Sequence, residues 1–253
     1  MDAYALLLLA TGLTLEAGLI LRGRSQGLLS RFPLFYSYVA YAFVSAVAAT
    51  LTLGLWPQSY PHVYWFNMLV MVLVEFAVLL ELTEKVFNPF PIVRRMGWLI
   101  VAGICLSFLA FSIIPSILEH RPSNQRFLDL MKFSSLAKGI AIVALLGFAR
   151  LYRLALGRPV AGILVGFAIY FCVSIANYAA AGEFGRSLYE EVLWRLRPLT
   201  YTLTLLIWTV SLWRYEVPVR PPRPDDGAAG VLSVPLREQL RRFNASLARV
   251  LRR

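Results

Sequence analysis

The chain has 253 residues, 58% of them hydrophobic and only 15% charged, and its mean hydropathy is +0.65. A soluble domain averages about 45–50% apolar residues, so this balance excludes an ordinary water-soluble globular domain. The formal net charge of +11 comes with no nucleic-acid motif, and anionic lipid headgroups are the expected partner of that charge rather than nucleic acid.

Apolar runs of the ~20 residues needed to cross ~30 Å of hydrocarbon recur along the chain. They predict seven spans, at roughly 4–21, 34–55, 64–83, 96–115, 131–150, 160–181 and 195–213. None has the alternating pattern of an outer-membrane barrel strand, and helices satisfy their own backbone hydrogen bonds in lipid. The expected fold class is therefore all-α: a seven-transmembrane-helix bundle over residues 1–216, multi-pass in a bilayer.

The first span follows "MDAY", an acidic leader with no convincing cleavage site after the span, and is expected to stay as a helix rather than leave as a signal peptide. Glu16 lies in its inner half. Pro33 opens the second span, whose start carries Tyr36, Tyr38 and Tyr41, read as interface anchors. "WPQSYP" (56–61) closes it, and "NPFP" (88–91) and "GRP" (157–159) mark later breaks. Trp56, Tyr60, Tyr64 and Trp65 form an aromatic belt at one face, and Trp98 and Trp213 mark the other.

The third span contains "MVLVEFAVLLELTEK" (71–85). Glu75 lies about 16 Å from the start of that span, near the bilayer centre. A charge there costs at least ~2.5–3.5 kcal/mol on insertion scales, so Glu75 is expected to face the bundle interior with a partner. Lys138, about 10 Å inside the boundary of the fifth span, suits it by sign and depth. Asn177 in the sixth span, Asn67 two turns outward of Glu75, and Ser134 and Ser135 near Lys138 extend the polar set. Glu75, Lys138, Asn177, Asn67 and Glu16 thus make a candidate polar core. It is either a pair that fixes helix register or a ligand or proton site between the third, fifth and sixth spans.

Loops after odd-numbered spans carry Arg22, Arg24, Arg31, Lys85, Arg94, Arg95, Arg150, Arg153 and Arg158, against Glu81 and Glu84. The opposite side carries Arg121, Arg126, Lys132, Arg186, Arg195 and Arg197, balanced by six acids. The excess, strengthened by the basic tail, puts the N-terminus outside and the C-terminus in the cytoplasm. Residues 217–230, "VPVRPPRPDDGAAG", read as a Pro- and Gly-rich linker. In 231–253, Leu236, Leu240, Phe243, Leu247 and Val250 recur at helical spacing among Arg237, Arg241, Arg242 and Arg249. This is a basic amphipathic helix for the inner leaflet; a short coiled coil and a poorly ordered basic end are the alternatives.

Several chemistries find no residues. His62 and His120, the only histidines, fall in outer loops, and Cys105 and Cys172 sit alone within spans. Haem ligation, a zinc hydrolase and intramembrane serine hydrolysis are not expected. The expectation is a non-enzyme with no metal and no cofactor. Pro57-Gln58 is in a loop and no internal repeat is visible, which weakens a transporter reading.

Tyr64-Trp65, then Glu75 and Glu81, then "KVFNPF" (85–90) resemble a group of uncharacterised bacterial seven-span proteins. Seven spans, an outside N-terminus and a helix after the last span are similar to the seven-helix sensory module preceding some histidine kinases. The resemblance covers residues 1–216 and implies a sensor-like module of a bacterial cytoplasmic membrane. The tail lacks a phosphoacceptor histidine and no ATP-binding domain follows it, so kinase activity is not carried over. The expected function is a receptor or scaffold-like membrane module acting through a cytoplasmic or membrane protein partner. The alternative is a small-solute or proton-coupled permease using Glu75 and Lys138.

Overall fold

The structure, a computed structural model, describes residues 3–87, 95, 97–104, 106–108, 123–151, 154, 156–183 and 194–213. The predicted linker and tail helix, with Arg237, Arg241, Arg242, Phe243 and Arg249, lie outside the described residues, as does the leader's Asp2. All regular structure among the described residues is α-helical. We label the helices α1 (Ala3–Ser25), α2 (Leu28–Arg31), α3 (Pro33–Leu55), α4 (Tyr60–Phe87), α5 (Ser123–Leu151), α6 (Arg158–Glu183) and α7 (Trp194–Trp213).

Among the described residues five stretches are long and apolar enough to cross a membrane: α1, α3, α4, Leu130–Leu151 of α5 and Arg158–Tyr178 of α6. The predicted fourth span coincides with a shorter apolar helix, Gly97–Phe108. The predicted seventh is α7, which has 20 residues and includes Pro198. Proline is tolerated where Pro33 and Pro61 stand, in the first turns of α3 and α4, because those N–H groups have no intrahelical acceptor. Gly27, at φ 66°, turns the chain between α1 and α2; a left-handed residue there suits glycine.

The helices pack in chain order into a closed ring: α1 on α3, α3 on α4, α4 on α5, α5 on α6, α6 on α7, and α7 back on α1. Most neighbours are antiparallel. Tyr41 near the middle of α3 bonds Asn67 early in α4, and Phe35 at the start of α3 bonds Glu81 late in α4. Two neighbouring pairs run parallel instead: α1 and α7, where Glu16 meets Tyr201 and Arg22 meets Trp213 further along both, and α4 and α5. In the second pair Phe87 near the end of one helix lies against Phe148 near the end of the other, ring centroids 6.4 Å apart. Gly97–Phe108 runs back along α4: Gly97 lies against Thr83 and Phe87, and Phe108 lies 5.6 Å from Phe76.

The outer surface of the bundle differs from that of a soluble protein. Leu7, Leu21, Val44, Phe66, Val143 and Val210 are exposed on the helix flanks, while Glu16, Glu75, Lys138, Asn177, Ser134 and Thr204 are buried. A water-soluble domain covers its flanks with polar side chains; apolar flanks around an apolar core that shelters a few polar groups suit a bilayer. Together with the five long apolar stretches, this defines a helical multi-pass membrane protein.

The tightest seam joins α6 to α7. Gly162 and Gly166 are one turn apart on α6, and a Cβ on either would overlap Ser211 or the Trp208 indole of α7. Small residues at four-residue spacing let helices approach this closely. The approach permits two cross-helix bonds: Trp208 Nε1–H to the Ile163 carbonyl at 3.2 Å, and the Thr204 hydroxyl to the Gly166 carbonyl at 3.3 Å.

Candidate functional site

Helical periodicity builds a polar cavity from four helices. On α4, Met68, Met71, Val72 and Glu75 share one face at spacings of three and four. Met131, Ser135 and Lys138 do the same on α5. Tyr170, Phe171, Ser174 and Tyr178 come from α6, and Arg197 reaches in from the first turns of α7. The space open to water centres is about 20 Å³, room for about one water molecule.

At its deep end Lys138 Nζ pairs with Glu75 Oε2, both side chains almost fully buried. Lys138 Nζ also lies 4.8 Å from the Phe171 ring centroid and 5.6 Å from that of Phe76. The ammonium is thus held by a carboxylate and two ring faces, the arrangement that makes a cation tolerable away from water.

At the other end stands Arg197, which sequence reasoning counted only as a loop charge. Its Nη2 points to Met68 Sδ at 3.7 Å, and its Cζ lies 5.8 Å from the Tyr178 ring centroid. The Tyr170 side chain lines the same cavity. The signal for Arg197 was its neighbour: "RLRPLT" (195–200) places it one residue before a proline that begins a predominantly apolar run.

Toward the middle of the bundle the cavity ends on aromatic rings. Phe171 stacks on Phe167 at 5.5 Å, and Phe167 packs on Trp208 at 4.8 Å. Trp208 meets Phe35 at 5.1 Å and Tyr38 at 5.9 Å. Tyr36 and Tyr38 are therefore core residues, which corrects their reading as interface anchors. The ring packing of α3 on α6 and α7 outcompetes an interfacial position.

The remaining candidate residues go elsewhere. Asn67 turns toward α3, where its Oδ1 accepts the Tyr41 hydroxyl at 3.0 Å and its buried Nδ2 has no partner among the described residues. Eight residues separate it from Glu75, so it falls about 80° around the helix and does not line the cavity. Asn177 is buried beside the lining residues of α6, its Oδ1 without a partner among the described residues. Ser135 lines the cavity, whereas Ser134 is buried outside it.

Glu16 belongs to a different site. Tyr201 donates its hydroxyl to Glu16 Oε1 at 2.6 Å, joining α1 to α7. The pair sits at the deep end of an apolar groove of about 270 Å³ that begins at Tyr4 and Ala5. Glu81, expected as a loop charge, is buried. Its carboxylate accepts the Phe35 N–H at the start of α3, where Phe32 offers no side-chain cap. Among the described residues no group of three or more His, Cys, Asp and Glu is placed to hold a metal.

No protein-family model matches the chain, and no curated protein or solved structure matches it either. The class reached from fold and site, a helical multi-pass membrane protein with a charged cavity between its helices, rests on the chain's own physical chemistry.

Proposed function

We propose that the protein is a receptor-like or scaffold-like membrane module of seven spans that holds a small ligand in the cavity between α4, α5, α6 and α7. It acts through a protein partner. The carrying observation is the Glu75–Lys138 pair at the floor of a cavity whose path onward is filled by the Phe171, Phe167 and Trp208 rings. A small site packed with aromatic rings at its inner end suits sensing better than passage.

Seven crossings are supported by the parallel α4 and α5, because a chain that ends one helix and starts the next parallel one must return between them. Gly97–Phe108 runs in that direction. With basic loops inside, the N-terminus is outside and the cavity opens outward. The basic tail rests on anionic headgroups of the inner leaflet, in a bacterial cytoplasmic membrane, in keeping with the sensory-module resemblance.

A permease is the second reading, because a buried Glu–Lys pair in a polar cavity is also a place to bind and release a proton or solute. A thermal-shift screen of small solutes on the reconstituted protein, followed by flux measurement for each stabilising solute, separates the two. Stabilisation lost in Lys138→Met with no flux supports the receptor. Flux that vanishes in Glu75→Gln selects the permease. Stabilisation indifferent to both residues overturns the site.

A further inference from the structure

Among the described residues two cations and one carboxylate face the cavity: Lys138, Arg197 and Glu75. Lys138 is matched by Glu75. Among the described residues no carboxylate pairs with Arg197; it meets a thioether sulfur and a tyrosine ring. A guanidinium offers five N–H donors in a fixed fork and cannot shed its proton. A sulfur is a weak acceptor, so among the described residues the cavity carries one positive charge more than its lining neutralises. In a low-dielectric setting that imbalance is expensive.

We propose that the cavity binds a compact monocarboxylate, its headgroup on the Arg197 fork and the Tyr170 hydroxyl, its short apolar part against Met68, Met71 and Met131. The ligand class follows from three features. One unmatched positive charge calls for a monoanion, since a dianion would leave a buried negative excess. A planar carboxylate fits the guanidinium fork with two parallel bonds. The available space is close to one water molecule, and three flexible methionines can re-pack to admit a few more atoms. This rests on the receptor reading of the same cavity and adds the ligand's chemistry to it.

The test uses the full chain in nanodiscs, titrated at constant pH and ionic strength with acetate, propionate and butyrate, and with propionamide and inorganic phosphate for comparison. A carboxylate is expected to raise the unfolding temperature saturably, and its amide isostere is not. In Arg197→Gln the affinity falls by about tenfold or more, the loss expected for a charge-assisted bidentate bond. Arg197→Lys, which keeps the charge and loses the fork, falls between. Arg22→Gln, at the far end of the bundle, binds as the parent does. Should Arg197→Gln fail to yield monodisperse protein, the Arg197→Lys affinity and the acid–amide comparison decide. Carboxylates that bind no better than the amide, or equally well to either Arg197 variant, overturn the inference. If neutral solutes then bind in a Lys138-dependent way, only the carboxylate assignment has failed. If no solute depends on Lys138 or Glu75, the receptor reading falls with it.

Discussion

The carboxylate of Glu81, late in α4, accepts the backbone N–H of Phe35, the third residue of α3, at 2.8 Å. The first turn of a helix has N–H groups without intrahelical acceptors, and a negative charge there also meets the positive end of the helix dipole. α3 begins Phe32-Pro33, with no serine, threonine, aspartate or asparagine to cap it. The acceptor therefore comes from the neighbouring helix. Glu81→Gln keeps an amide oxygen as acceptor and should lower stability by about 1 kcal/mol, whereas Glu81→Leu should cost about 2 kcal/mol or more. Unfolding in mixed micelles measures both; equal losses would show that the charge and the bond contribute nothing separately.

Lys138→Met should destabilise more than the combined Glu75→Gln, Lys138→Met change. Removing one member strands the other charge in the bundle, about 3–5 kcal/mol for a buried pair, while removing both does not. The readout is a double-mutant cycle on thermal unfolding. Additive effects would mean that the pair has no coupling energy, against its direct contact.

Gly166→Ala should lower stability by about 1–3 kcal/mol, the usual cost of overpacking, because its Cβ would overlap the fully buried Trp208 indole. Gly12→Ala is the control: nothing lies within 4 Å of a Cβ there, so the extra methyl should leave the unfolding temperature unchanged or raise it slightly. An equal drop in both variants would locate the effect outside the α6–α7 seam.

A cysteine at Ser59 should react readily with a membrane-impermeant maleimide in intact cells, and one added at the C-terminus should not. The expectation follows from the basic residues in the loops after odd-numbered spans. Reversal of the two labelling patterns would invert the proposed orientation and put the cavity mouth in the cytoplasm.

Much of the architecture was legible because the bilayer imposes it. Apolar run length predicted α1, α3 and α4 to within a few residues, and prolines marked the starts of α3 and α6. The Glu75–Lys138 geometry followed from the cost of a charge at that depth. What the sequence did not reveal is azimuth. Asn67 and Glu75 share a helix and a polar character, yet face different neighbours, because 100° per residue carries them to different sides. Arg197 and Glu81 were hidden by counting: both sit near span ends, where a charge is equally at home in a loop. Only packing against α3 or α6 distinguishes the two cases. Tyr38 shows the same limit, since an interfacial tyrosine and a core tyrosine have the same residue name and the same neighbours in sequence.

The closure of the ring has a consequence for how the protein is made. The contacts that shut it join α1 to α7: Tyr201 to Glu16 across 185 residues, and Arg22 to the Trp213 carbonyl across 191. A ribosome delivers α1 long before α7, so Glu16 enters the bilayer without the hydroxyl that will receive it. Until the last helix arrives, the unfinished bundle has an open flank with a carboxylate on it. Assembly is thus gated by its final step, and chains truncated before Trp194 should be recognised and degraded as incomplete even though every earlier helix is present.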